Sequence, residues 1–333
     1  MVVKVAVVVP AYNVEQFISQ TLDSLLAQSF ADWECIVIDD GSVDRTCEVV
    51  EGFEDPRICL FRQSNAGPAA ARNAGYHHSR APYVMFLDSD DFIHPTSLER
   101  LHLALERNPD AILAFGTTLR LLDSGDVEPN QKPLAAHRYA TGDVLKSVLF
   151  QRGVFWNGGQ MLIRRSVIEC AGAYDPSLPF NEDWEFFCRI AAEGPCHYIG
   201  APDEVLRHRV RPNSFAPTRG SDLANFVLAR DAVFRNKKIQ ARVGEAELNK
   251  MRVKIEGLQT FGVARQKFIQ RDFATARMLM LKSLWLAPSI RNTAMFFLAQ
   301  ASQILGKPLS GRLRFRSAKE VSLGQVGRQE GAS

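Results

Sequence analysis

The 333-residue sequence has no uninterrupted run of the roughly 18 apolar residues that cross a bilayer. The best candidate, "TAMFFLAQASQIL" near the end, is too short, so any membrane contact is expected to be peripheral. The start, "MVVKVAVVVPAYN", meets Pro10 too soon for a signal peptide with its cleavage site, and a cytoplasmic location is the expectation. Cysteine is scarce: six residues, none in a C-x-x-C pair, read as reduced core residues rather than zinc ligands or disulfides. His77, His78, His94 and His137 show no metal-ligand spacing either. No G-x-x-x-x-G-K-[ST] occurs, which removes the P-loop NTPases. No G-x-G-x-x-G follows a strand, which removes the usual dinucleotide fingerprint.

What is present suits a globular protein with one sizeable core and an appendage: 46% hydrophobic residues and 23% charged. The net charge of +3 hides a polarity. From Arg230 onward there are 20 Lys and Arg against 7 Asp and Glu, and before it 20 against 30. Such a basic end is either a docking face for an anionic surface or a solvated cationic face. Nucleic acid is not an expected partner.

"VKVAVVVPAYN" is a β-branched run stopped by Pro10, and "VEQFISQTLDSLLAQSF" follows with apolar residues near helical spacing. "WECIVIDDGSVDRTCEVVEGF" repeats the scheme, with Ser42 or Asp44 as the helix cap. "RICLFRQ" is a further strand, "NAGPAAARNAGYHHS" a loop entering a helix, and "YVMFLDSDD" a buried strand. Strands alternating with helices predict an α/β fold with a mostly parallel sheet, whose ligands gather at the carboxyl ends of the strands. "GGQMLIRRSVIECAGAYDPSLPFNEDWEFFCRIAAEG" reads as strand, short helix, loop, then a helix beginning near Glu182. From Leu223 to about Leu305 the pattern is helical throughout, and "QRDFATARMLMLKSLWLAPS" has the form of one helical hairpin. The expected organisation is a catalytic domain over 1–220, a helical region over 221–306, and a disordered basic tail over 307–333.

The stretch "VMFLDSDDFIHP" ends an apolar strand in three carboxylates within four residues. Such crowding is costly unless a cation sits among them, and an all-oxygen, hard donor set favours Mg²⁺ or Mn²⁺. An EF-hand would place Asp88, Asp90 and Glu99 at loop positions 1, 3 and 12, but Phe92 and Ile93 occupy positions that need an oxygen ligand and a glycine. An ion held by two side chains leaves its remaining coordination to water and substrate phosphates, so the expected substrate carries a diphosphate. The alternative is that Asp88 caps a helix and the other two are solvated.

In this order and spacing, "VVVPAYN" (7–13), "VIDDGSVDRT" (37–46), "NAGPAAARNAG" (65–75), "FLDSDD" (86–91) and "NEDWEF" (181–186) resemble an inverting glycosyltransferase of family 2 with the GT-A fold, over about residues 1 to 215. The resemblance implies that Pro10, Ala11, Tyr12 and Asp40 hold the nucleotide's base and ribose, an aspartate being able to accept a uracil N–H. It implies that Arg72 lies near the diphosphate, where a guanidinium clamps anions; a surface salt bridge is the alternative. Asp88, Ser89 and Asp90 match the D-x-D segment. Asp90 is the direct metal ligand, and Asp88 leans toward ribose and metal-bound water. Asp183 is the implied general base and Glu182 a positioning group. Trp184 either stacks on a sugar ring or fills the core, and an acid-rich helix N-terminus would explain the acidic pair without chemistry. "LRHRVRPNSF" (206–215) resembles the segment that closes over the diphosphate; His208 stands at its aromatic position, Arg209 matches its arginine, and Arg211 replaces the usual histidine.

The expectation is a metal-dependent transferase moving a sugar from a nucleoside diphosphate, UDP before others, to a hydroxyl of a glycan or lipid-linked acceptor, as in bacterial surface polysaccharide assembly. The basic helical end could dock at the membrane face. Two rivals stand beside it. A sugar-1-phosphate nucleotidyltransferase needs a glycine-rich basic loop after the first strand, which "VVVPAYNVEQF" lacks. A non-catalytic scaffold would have no use for intact acids at 40, 88, 90 and 183.

Overall fold

The computed structural model describes residues 3–121, 141–150, 157–200, 204–209 and 222–305; the expectations for His137, Arg211 and the tail from 307 lie outside them. The chain divides into two compact units, one drawn from Met1–Val148 and Gly153–Pro212, the other from Leu149–Arg152 and Asn213–Ser333.

In the first unit, four strands run parallel: β1 (Val5–Ala11), β2 (Trp33–Asp39), β3 (Ile58–Arg62) and β4 (Tyr83–Phe86). The valines of β1 alternate between two packed faces, which is why the strand is apolar throughout. Val5, Val7 and Val9 join Ile18, Leu22 and Leu25 of helix α1 (Ile18–Leu26) in one buried cluster. On β2, Ile36 and Ile38 pack with Ala71 of helix α3 (Pro68–His78), which follows the short α2 (Thr46–Glu51). Gly75 lets α3 lie close to the sheet, because a Cβ there would sit 2.4 Å from Val8 Cγ1. Each fully buried aliphatic side chain stabilises this layer by about 1.5–3 kcal/mol.

Two local expectations change. Strand β1 does not stop at Pro10 but continues to Ala11, which pairs with Asp39. On its other side β4 has already ended, its last pair being Val8 with Phe86, so a residue without an N–H is tolerated there. Helix α2 starts at Thr46. Asp44 serves its first turn by accepting from the Thr46 N–H at 3.0 Å, whereas Ser42 Oγ accepts from Asn13 N instead.

The sheet continues beyond β4 in the order β3-β2-β1-β4-β8-β6-β9, where β6 is Leu113–Phe115, β8 Met161–Arg164 and β9 Cys196–Tyr198. Strand β8 is antiparallel to both neighbours, and β9 is parallel to β6. A small second sheet has the order β5-β10-β7, formed by Phe92–Ile93, Glu204–Arg209 and Thr117–Leu121. It brings the end of β10 beside the acidic loop that follows β4. Helices α4 (Ser97–Arg107), α5 (Leu145–Leu149), α6 (Arg165–Ala171) and α7 (Glu182–Ala191) complete the succession; α7 begins at the residue expected.

Over 222–305 the described residues of the second unit are helical, as expected: α8 (Ala224–Arg235), α9 (Lys237–Val243), α10 (Glu245–Ile269), α11 (Phe273–Leu286) and α12 (Ile290–Leu305). Asp272 caps α11 by accepting from Thr275 N at 3.2 Å. The stretch 270–289, expected to form a helical hairpin, is instead the single helix α11, which packs on α10: Ser283 Oγ donates to the Gly257 carbonyl at 2.8 Å, and a Cβ at Gly257 would lie 2.5 Å from that of Ala287. Phe261, Ala264, Ala276, Met280, Met295 and Ala299 form the shared core of α10, α11 and α12.

Candidate active site

The carboxyl ends of β1, β2 and β4 lie side by side, and the loops that leave them are tied to each other. Asn13, held in a left-handed conformation (φ 51°), accepts from Val43 N at 2.9 Å and donates its own N–H to Ser42 Oγ at 2.9 Å. This crosslink joins the loops after β1 and β2 and leaves Tyr12 half exposed at their edge, a free aromatic face. Pro10 and Ala11 lie within β1 beneath it. Asp40 is buried, and its carboxylate accepts from Gln63 Nε2 at 2.7 Å, Ala66 N at 2.9 Å and Gly67 N at 2.8 Å. It is neither a cap of α2 nor an open lining group. Its three bonds shape the loop leading into α3.

Arg72, on α3, is the hub. Its side chain is 11% exposed and donates to Asp88 at 2.9 Å and to Glu182 at 3.2 Å, with Tyr174 facing the guanidinium at 5.2 Å. Burial alone would lower the Arg72 pKa, but Asp88, Tyr174 and Glu182 outweigh it and hold the group above its ordinary value. It is a buried bridge rather than a surface salt bridge. Tyr174 is locked for this purpose by a stack on Phe186 at 4.0 Å and by a two-way bond with Asn73, at 2.8 and 2.9 Å.

The three crowded carboxylates have separate fates. Asp88 pairs with Arg72 and keeps a third of its side chain exposed. Asp91 is fully buried and accepts from Asn157 Nδ2, from Arg209 N and from His208 Nδ1, each at 3.0 Å. Burial raises the Asp91 pKa against the lowering pull of His208. Burial lowers that of His208, but Asp91, Asp88 and Asp90 more than offset it. Beside the expected metal ion, the protein supplies its own compensation: Arg72 bonds Asp88 and His208 bonds Asp91. At the position where the resembled segment has an aromatic, His208 bonds the Asp91 carboxylate.

Asn157 also donates to Asp88 at 3.3 Å, so one amide holds both ends of the acidic turn. Its own oxygen accepts from Gly159 N at 2.8 Å and caps a 3-10 turn over Gly158–Gln160. That turn presses on the end of β4, where a Cβ at Gly158 would lie 2.5 Å from the Phe86 carbonyl oxygen. Ser89 is buried, and its carbonyl accepts from Thr21 Oγ1 at 2.9 Å, anchoring the turn to α1. Asp90 sits half-buried between these anchored neighbours. Arg209 donates to Gln20 and lies over the Phe17 ring at 5.2 Å.

At the start of α7, Glu182 is committed to Arg72. The neighbouring Asp183 accepts from Trp184 N at 2.6 Å. Trp184 is core: it is buried and donates to the Val148 carbonyl at 3.1 Å, which removes the sugar-stacking alternative. Arg72 thus brings the loop after β4 and the start of α7 together. Pro10, Ala11, Tyr12 and Asp40 stand on the two adjoining strand ends. Glu99, considered for a calcium loop, instead accepts from Ser29 Oγ at 2.6 Å.

Sequence reasoning missed Asn157, Tyr174 and the role of His208; only the Asn-Gly-Gly run after Trp156 carried a signal, as a turn. Among the described residues no group of three His, Cys, Asp or Glu is placed to hold a metal ion. The acids present still suit one kind of ion. Asp88 and Asp90 offer hard oxygens on one turn, partly open to solvent, as a Mg²⁺-like ion needs when phosphate and water supply the rest.

A mostly parallel sheet with helices on its faces and an acidic turn at its carboxyl edge defines the GT-A class of α/β fold. Residues 6–172 match the family described as Glycosyl transferase family 2, and the chain belongs to that family. Among curated relatives it is 33% identical over 221 residues to the uncharacterized glycosyltransferase EpsJ of Bacillus subtilis (strain 168), covering 64% of this chain and 63% of EpsJ. It is 36% identical over 150 residues to the putative teichuronic acid biosynthesis glycosyltransferase TuaG of the same organism, covering 44% and 58%. The matches thus span less than two thirds of either relative. Among solved structures, S. aureus TarS 1–349 superposes with a TM-score of 0.60 at 17% identity, over 91% of this chain and 92% of that one. The complex of the same TarS segment with UDP-GlcNAc superposes at 0.59. At this identity the likeness is one of fold.

Proposed function

We propose that the protein is a metal-dependent, inverting glycosyltransferase that moves a sugar from a UDP-sugar to a hydroxyl of a glycan or lipid-linked acceptor in cell-surface polysaccharide synthesis. The observation that carries this reading is the Arg72 bridge, which joins Asp88 of the acidic turn to Glu182, the chain neighbour of the proposed base Asp183. Support also comes from the family, from a relative named for teichuronic acid biosynthesis, and from a fold neighbour solved with UDP-GlcNAc.

In this reading Tyr12 offers its exposed ring to the base. Asp40, Pro10 and Ala11 shape the floor beneath it, and Ser89 fixes the acidic turn. Asp88 and Asp90 would hold Mn²⁺ or Mg²⁺, which supplies charge neutralisation for the leaving diphosphate when bound. Arg72 and Arg209 add fixed positive charge on the same side. Asp183, next to Glu182 at the start of α7, takes the proton of the acceptor hydroxyl as it attacks the anomeric carbon. A single displacement of this kind inverts the configuration and needs no covalent intermediate. The basic helical unit gives the protein its contact with an acceptor-bearing membrane.

UDP release from UDP-GlcNAc and other UDP-sugars, with Mn²⁺ and with EDTA, tests the proposal. Release should require the metal and fall by roughly 10²–10⁴-fold in Asp183→Asn, the range for loss of a positioned base. Equal release in EDTA, or an Asp183→Asn variant as active as the parent, would overturn it.

A further inference from the structure

Helix α11 is apolar on two opposite sides, and its own core explains only one of them. Phe273, Ala276, Met280 and Ser283 face the interior of the second unit. At about 100° per residue, Ala274, Met278, Leu281 and Trp285 fall on the far side, within a stripe about 60° wide. They are exposed there: Met278 by 61%, Leu281 by 51% and Trp285 by 84%. A tryptophan so open to water loses the free energy of burying its large apolar surface unless something covers it.

The flanks of the stripe indicate what does. Arg277 is exposed on one side. Lys282, half exposed and 3.1 Å from Glu256, lies on the other. From Arg265 to Arg291 the sequence has six Lys and Arg against one acid, Asp272. A second copy of this face would set these cations against their own kind, which works against self-association. An anionic lipid surface satisfies both features: cations meet headgroups, while an interfacial tryptophan and its aliphatic neighbours enter the acyl boundary.

We infer that α11 is a membrane-docking helix, lying in the plane of an anionic bilayer with Met278, Leu281 and Trp285 inserted. This deepens the proposed membrane contact and rests on it for its biological setting. The surface itself is read from α11 alone, without the transfer chemistry.

The test uses the full chain with vesicles of phosphatidylcholine alone and of phosphatidylcholine with about 30% phosphatidylglycerol. The parent should co-sediment with the anionic vesicles and shift its tryptophan emission to shorter wavelength. Binding should fall as salt rises, each basic contact being screened. Trp285→Ser should weaken partition by about tenfold or more, and Met278→Ser with Leu281→Ser should do the same through a different chemical change. These side chains are exposed, so melting temperature and lipid-free UDP release should stay at parental values. Failure of lipid binding with UDP release intact would thus sink this inference and leave the transferase reading standing. Equal binding to neutral vesicles, binding unchanged in both variants, or a dimer in light scattering that the variants dissociate would each overturn it, the last in favour of a second copy.

Discussion

Replacing Arg72 by methionine isolates the electrostatic keystone of the site. The methionine fills much of the volume but leaves Asp88 and Glu182 without their shared cation. Asp88 is 34% exposed and regains water, so its share is that of a near-surface pair, below about 1 kcal/mol. Glu182 is 12% exposed and has little water to turn to. Removing one partner of a buried pair costs about 3–5 kcal/mol, because the other charge stays buried. The expected loss is therefore about 3–5 kcal/mol, carried mainly by Glu182. With a urea slope of about 2–3 kcal/mol/M, the midpoint should fall by about 1 M or more. Tryptophan emission reports it, since Trp33 and Trp184 are buried in the first unit while Trp285 is already solvated. The double variant Arg72→Met with Glu182→Gln removes the stranded charge and should recover about 2 kcal/mol. A single-variant shift below about 0.3 M, or a double variant no more stable than the single, would refute the bridge as the keystone.

Two other outcomes follow from particular contacts. Gly158→Ala forces a Cβ to within 2.5 Å of the Phe86 carbonyl oxygen and displaces the Asn157 turn; an overpacking cost of about 1–3 kcal/mol should lower Tm by roughly 2–12 °C, and an unchanged Tm would show that the turn yields freely. His102, packed against Phe30 at 4.9 Å and Tyr83 at 5.1 Å, has its pKa lowered, burial outweighing the pull of Glu106. The unfolded chain therefore binds that proton more readily, so stability should fall as pH drops below about 6.5. His102→Phe should flatten the loss between pH 7 and 5 in urea titrations, and an identical pH slope would discount it.

The parallel α/β pattern was legible because strands buried on both faces carry near-continuous apolar runs, as β1 does throughout and β2 does over 35–38. Helix α7 starts at the expected Glu182, and the described C-terminal elements, α8 to α12, are helices. The site's acids were visible as residues, yet their partners were not. Asp91 and Asp88 look equivalent in "DSDD", and only the fold sends one to His208 and the other to Arg72. Trp184 shows the same limit: a tryptophan beside two acids reads as a sugar platform until its indole N–H is found on the Val148 carbonyl.

From the chain alone came the order of the first four strands and the helices between them, the carboxylates at strand ends, the cationic composition of the last hundred residues, and the helical pattern that runs to Leu305. These depend on local periodicity and composition. Tertiary structure decided which acid is bridged, which is buried, and which amide ties the turn. Those pairings join residues 66, 110 and 117 positions apart, through Asn157 and Asp91, Arg72 and Glu182, and Asp91 and His208. Nothing in a short window encodes such distances. They are set by sheet order and register, which bring the ends of β4, β10 and α7 to one edge.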